Sequence, residues 1–101
     1  MLTFLDIVGA SGAIYRFRIV EDGQTPPAMA GNFLYANEGG VLCCGTATSL
    51  LDAPKAWSAR AEDTPRGSLY VRRNVSRAQR LAEHEDMAKT LESVITLPER
   101  D

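Results

Sequence analysis

A small α+β domain, with a mostly antiparallel sheet and two helices packed on it, is the architecture this sequence predicts. Three observations predict it. The 101 residues suit one domain with one modest core. Short runs alternate apolar and polar side chains with the period of two that marks a half-buried strand, and Gly-rich links join them in pairs. Only the stretch after Ser76 shows sustained helical spacing.

The first pair is Leu2 to Val8 and Ala13 to Val20, joined by Gly9-Ala10-Ser11-Gly12. Tyr15, Phe17 and Ile19 alternate there with Arg16, Arg18 and Val20, so a hairpin with one buried face is expected. Glu21 to Ala30 contains Gly23 and Pro26-Pro27 and reads as a loop. A second hairpin follows, with Asn32 to Ala36 and Val41 to Cys44 around the turn Asn37-Glu38-Gly39-Gly40. Thr46, Thr48 and Ser49 offer caps for a helix over 50–62, with Pro54 in its early turns. Asp63 to Gly67 makes a turn, and Ser68 to Arg73 a further strand.

Ser76 then caps the strongest helix, with Ala78, Leu81, Ala88, Leu91 and Ile95 as its core-facing stripe and Pro98 as its stop. The order strand–strand–strand–strand–helix–strand–helix, with the helices on one face of the sheet, defines the α+β class.

Composition narrows the function. The apolar share is 45% and the charged share 24%, both ordinary for a globular protein. A net charge of -2 gives no global pull toward nucleic acid or acidic lipid. No apolar run approaches the roughly 20 residues that span a bilayer, so no membrane partner is expected. The N-terminal run is short, lacks a basic leader and contains Asp6, unlike a signal peptide. Cys43 and Cys44 are adjacent, which disfavours a disulfide between them, and reduced thiols in the cytoplasm are the expectation. One histidine and no CxxC spacing leave no zinc cage, and no cofactor is expected.

Gly31-Asn32-Phe33-Leu34-Tyr35, followed by Val41-Leu42-Cys43-Cys44-Gly45, resembles the signature of the GIY-YIG nuclease superfamily. Members carry Gly-Ile-Tyr and Tyr-Ile-Gly triplets on two short strands, then a helix, a strand and a helix bearing a glutamate. Here GNF and CCG stand at a similar separation, and Leu81 to Lys89 looks like the metal-binding helix. The resemblance implies a family-like core over residues 30–97, with residues 1–22 as a hairpin extension of one domain spanning 1–101.

The resemblance also implies a catalytically degenerate member. The family's tyrosines fall on Phe33 and Cys43, and its arginine, about eight residues past Gly45, falls on Ala53. Lys55 is out of register and Arg60 further on. Glu85, or alternatively Glu83, is the surviving metal-ligand candidate. Phosphodiester hydrolysis needs an oriented water, positive charge on the developing phosphorane and a metal at the leaving oxygen. Loss of one such donor costs about 100- to 1,000-fold, so loss of three of four groups leaves little catalysis.

Several residues carry competing readings. Phe33, Cys43, His84 and Glu85 are the vestigial active-site candidates, and a Cys43–His84 nucleophilic pair is conceivable although no orienting group is evident. The bland readings are core packing for Phe33, an inert buried thiol for Cys43, a border histidine, and a Glu85–Lys89 surface pair. Gly9 to Gly12 superficially resembles a phosphate loop but precedes no helix.

Arg66, Arg72, Arg73, Arg77 and Arg80 form the sole one-signed window, either a phosphate-contacting patch or a solvated surface. The leading expectation is a non-catalytic module contacting nucleic acid or a protein partner. The alternatives are a divergent metal-dependent DNA endonuclease using Glu85 and His84, with Mg2+ at Glu85, and an interaction domain that self-associates through an edge strand of the N-terminal hairpin.

Overall fold

The computed structural model describes residues 3–58, 66–91 and 94–100, with the side chains of residues 98 and 100 set aside. The elements are β1 (Phe4–Val8), β2 (Ile14–Val20), β3 (Gly31–Asn37), β4 (Gly40–Ala47), a 3-10 turn (Leu50–Asp52), α1 (Ala53–Ser58), β5 (Ser68–Arg73), α2 (Arg77–Ala88) and β6 (Ile95–Arg100). The strands form one sheet in the order β1-β2-β5-β3-β4-β6, antiparallel except for β6 alongside β4. This is an α+β fold.

Both hairpins stand where alternation and glycine place them. In the first, the Gly9 and Gly12 N–H groups donate to the Ala13 and Gly9 carbonyls, and Gly12 takes φ 90°. A side chain with a Cβ rarely adopts that conformation. In the second, the Asn37 carboxamide accepts from the Gly39 N–H at 2.8 Å and Gly40 takes φ 126°.

The strand β5 runs between the two hairpins, pairing with β2 on one side (Arg18 opposite Val71) and β3 on the other (Phe33 opposite Val71). This makes β3 the inner strand, buried along its length except at Asn37. Its alternating residues therefore enter two cores. Phe33 and Tyr35 join Cys43, Leu50, Trp57, Leu69 and Leu97 under the 3-10 turn and α1. Leu34 and Ala36 join Ile7, Phe17, Ile19, Cys44, Tyr70 and Met87 under α2. The helices thus take opposite faces rather than the single face expected, because a strand apolar on both sides needs cover on both.

Two further expectations are corrected. The last helix ends at Ala88, and Ile95 to Arg100 is a strand rather than a helical end stopped by Pro98. Pro98 is tolerated because β6 is a sheet edge, and the β4–β6 register shifts between Gly45 and Ala47, opposite the stretch that contains it. The face of α2 is also rotated from the expected stripe. Ala78 and Leu81 are exposed, while Arg80, Glu83 and Met87 are buried. The continuation of the first helix through residues 59–62, including Arg60, lies outside the described residues.

Polar groups hold α2 down. The Arg80 guanidinium donates to Glu99 of β6 at 2.6 Å and to the Val75 carbonyl at 2.9 Å. Arg72 of β5 donates to Glu83 at 2.9 Å. The fully buried Asn32 donates to the Arg80 carbonyl and accepts from Asn74. The first hairpin is fastened to the same helix: Asp86 accepts from the Ser11 N–H (2.9 Å), the Ser11 hydroxyl (2.7 Å) and the Tyr15 hydroxyl (2.8 Å). These bonds hold the Asp86 carboxyl below its ordinary pKa, the Ser11 hydroxyl contributing most.

Candidate functional site

The four vestigial active-site candidates do not share a cleft. Phe33 and Cys43, 1% and 0% exposed, lie in the core beneath α1. His84 and Glu85 sit on α2, which packs over the other face of the sheet. The Cys43–His84 pair considered from the sequence is therefore split by the sheet. The Phe33 ring lies against Gly45, where an added Cβ would stand 2.7 Å from the ring tip.

Burial pushes the Cys43 and Cys44 thiols up to about 12 and about 11. Such thiols stay protonated and unreactive near neutral pH. Iodoacetamide at pH 8 is expected to leave the native protein unmodified and to alkylate both cysteines after guanidinium unfolding, as read by mass spectrometry.

His84 is half-buried, and its Nδ1 has no hydrogen-bond partner among the described residues. Burial lowers its pKa, which favours neutral imidazole. Glu85 is exposed. Among the described residues no group of three or more His, Cys, Asp and Glu side chains could hold a metal.

The arginine window breaks apart in three dimensions. Arg80 is 3% exposed, so it is an internal partner of Glu99 and not a phosphate contact, correcting that expectation. Arg77 pairs with the same carboxylate at 2.9 Å. Arg72 pairs with Glu83, and its guanidinium lies 5.5 Å from the Tyr15 ring centre. Arg66 and Arg73 are exposed, and neither forms an ion pair among the described residues.

Arg73 finds new company. Alternation along β2 turns Arg16, Arg18 and Val20 to the face that α1 shares, and alternation along β5 turns Val71 and Arg73 the same way. The 3-10 turn and α1 lie toward β3, β4 and β6, so among the described residues no helix covers this face over β2 and β5. The loop after β2 walls it with Gln24, Thr25 and Pro27, leaving a groove of about 740 Å3 lined also by Arg16, Arg18, Arg72 and Arg73.

Among the described residues no carboxylate lines the groove. Arg16 is held by Asp6 at 2.9 Å and stands 5.1 Å from the Phe4 ring centre, whereas Arg18 and Arg73 are exposed with no acidic partner among the described residues. Sequence reading placed Arg16 and Arg18 on the solvent side of a hairpin. The missed signal was that their alternation face and that of Arg73 coincide once β5 pairs with β2.

Fold and site together define a small α+β domain with an arginine-lined groove on the open half of its sheet. No family model, curated protein or solved structure matches the chain.

Proposed function

We propose that this chain is a non-catalytic binding module of GIY-YIG-like design that contacts nucleic acid. The observation that carries the reading is a division of labour. The positions aligned with the family's reactive groups hold a buried phenyl ring and a buried thiol, while the arginines without acidic partners stand at the surface. The strands β3 and β4 that carry the motif are antiparallel neighbours with α2 packed over them, the arrangement this reading requires.

Two measurements test the reading. Fluorescence polarisation with labelled single-stranded and duplex oligonucleotides at low salt is expected to show binding. A plasmid incubated with the protein and magnesium or manganese is expected to stay uncut. Cleavage lost on Glu85→Ala would instead establish the metal-dependent nuclease. A second reading, self-association or a protein partner, is favoured by β1: this edge strand and its hairpin expose Phe4 (47%), Val8 (53%) and Ile14 (65%). Light scattering that reports a dimer while every oligonucleotide stays free would favour it.

A further inference from the structure

We infer that the groove over β2 and β5 binds the sugar-phosphate backbone of a single nucleic-acid strand without reading its sequence, with Arg18 and Arg73 as the principal phosphate contacts. The inference rests on the nucleic-acid reading above and assigns it a place, a strandedness and a mode. The place spans β2 of the N-terminal hairpin, outside the segment that resembles the nuclease family, and β5, inside it.

Charge complementarity selects the ligand. Arg16, Arg18 and Arg73 turn toward the groove, the Arg72 guanidinium pairs with Glu83 on the α2 face, and among the described residues no carboxylate lines the groove. Asp6 partly neutralises Arg16 and Glu83 neutralises Arg72, so the charge facing solvent comes mainly from Arg18 and Arg73. Planar guanidinium groups match phosphate oxygens in a bidentate fashion.

Shape selects the strandedness. Reading a duplex through its major groove needs a projecting helix or ribbon, and this surface is a concave sheet face walled by a loop. A single strand can lie along such a trough. Arg16 and Arg18, two residues apart on β2, follow one another along it at roughly 7 Å from the strand rise. Among the described residues the lining contains no aromatic side chain on which bases could stack, but Val20, Val71, Ile19, Pro27, Gln24 and Thr25 beside the arginines. Binding should therefore be electrostatic, salt-sensitive and indifferent to base identity.

The test is fluorescence polarisation of the full chain with labelled single-stranded 20-mers of differing sequence and a duplex of the same length, from 50 to 200 mM salt. The wild type is expected to hold the single strands within about threefold of one another. Engagement of two to three arginines corresponds to a log–log salt slope of about -1.4 to -2.1, at about -0.7 per phosphate neutralised. The Arg18→Glu/Arg73→Glu variant is expected to bind at least tenfold more weakly. Arg18→Lys/Arg73→Lys, which keeps the charge but loses the bidentate fork, should bind between the wild type and the glutamate variant, and Lys89→Glu on the α2 side should match the wild type. Circular dichroism and a melting curve confirm that each variant is folded.

Wild-type binding that survives Arg18→Glu/Arg73→Glu unchanged overturns the groove and leaves the nucleic-acid reading standing. A duplex held more tightly than every single strand overturns the strandedness. A wild type that binds no oligonucleotide at 50 mM salt overturns both.

Discussion

Replacing Glu99 by glutamine is expected to destabilise the fold by about 3–5 kcal/mol, the range found when one partner of a buried ion pair is removed. Domains of this kind are stable by about 5–15 kcal/mol in total, so the loss would be plain in a urea or thermal titration. The size follows from geometry. Glu99 and Arg80 expose 6% and 4% of their side chains, and their contact is 2.6 Å. Neutralising the carboxylate leaves a guanidinium in the interior with neutral acceptors, the Val75 carbonyl and the new amide oxygen, and no counter-charge.

The paired replacement Arg80→Met/Glu99→Leu is expected to recover most of the loss, because apolar substitutes of similar volume leave no buried charge behind. A double variant as unstable as Glu99→Gln would refute the ion-pair account. Acidity offers a second check. Arg80 first, with Arg77 in support, holds the Glu99 carboxyl below its ordinary value of 4.5. The unfolded chain therefore takes up this proton at a higher pH than the native one. The stabilisation is complete above the ordinary carboxylate range and fades as pH falls through the lowered native value. Glu99→Gln should remove that part of the acid sensitivity.

Phe33→Ala is expected to cost about 3–5 kcal/mol by leaving a cavity in the core beneath α1. Phe33→Tyr is the more telling variant, because tyrosine is the residue that the proposed GIY-YIG-like reading would require here. The ring is 1% exposed and its tip packs against Gly45. A hydroxyl added there would be crowded and desolvated, and an unsatisfied buried hydroxyl costs about 1–3 kcal/mol. The expected outcome is a lower melting temperature and no plasmid nicking. A Phe33→Tyr protein that keeps its stability and gains cleavage would count against a non-catalytic module.

The local features of this fold were legible in the sequence and the non-local ones were not. Alternation and paired glycines marked both hairpins and β5, whose bounds of Ser68 and Arg73 agree with the structure. The rotation of α2 was hidden because apolar periodicity assumes an apolar interface, and this helix meets the sheet through Arg80 and Glu83 as well as Met87. The strand β6 was hidden because Ile95 continued a helical spacing and Pro98 looked like a stop. The groove was half legible: Arg72 and Arg73 stood out as neighbours in sequence, but Arg16 and Arg18 joined them only through a pairing some 50 residues away.

The placing of β5 between two ready-made hairpins has a consequence for how the chain assembles. Each hairpin closes locally, yet neither has its final sheet neighbour until residues 68–73 arrive, and the first is fastened only when Asp86 reaches Ser11. During synthesis the early half of the protein would wait, with Phe17 and Ile19 uncovered, until the late half emerged to wedge it shut. Cutting the chain between the hairpins should therefore yield fragments that recombine or aggregate, not two independent folds.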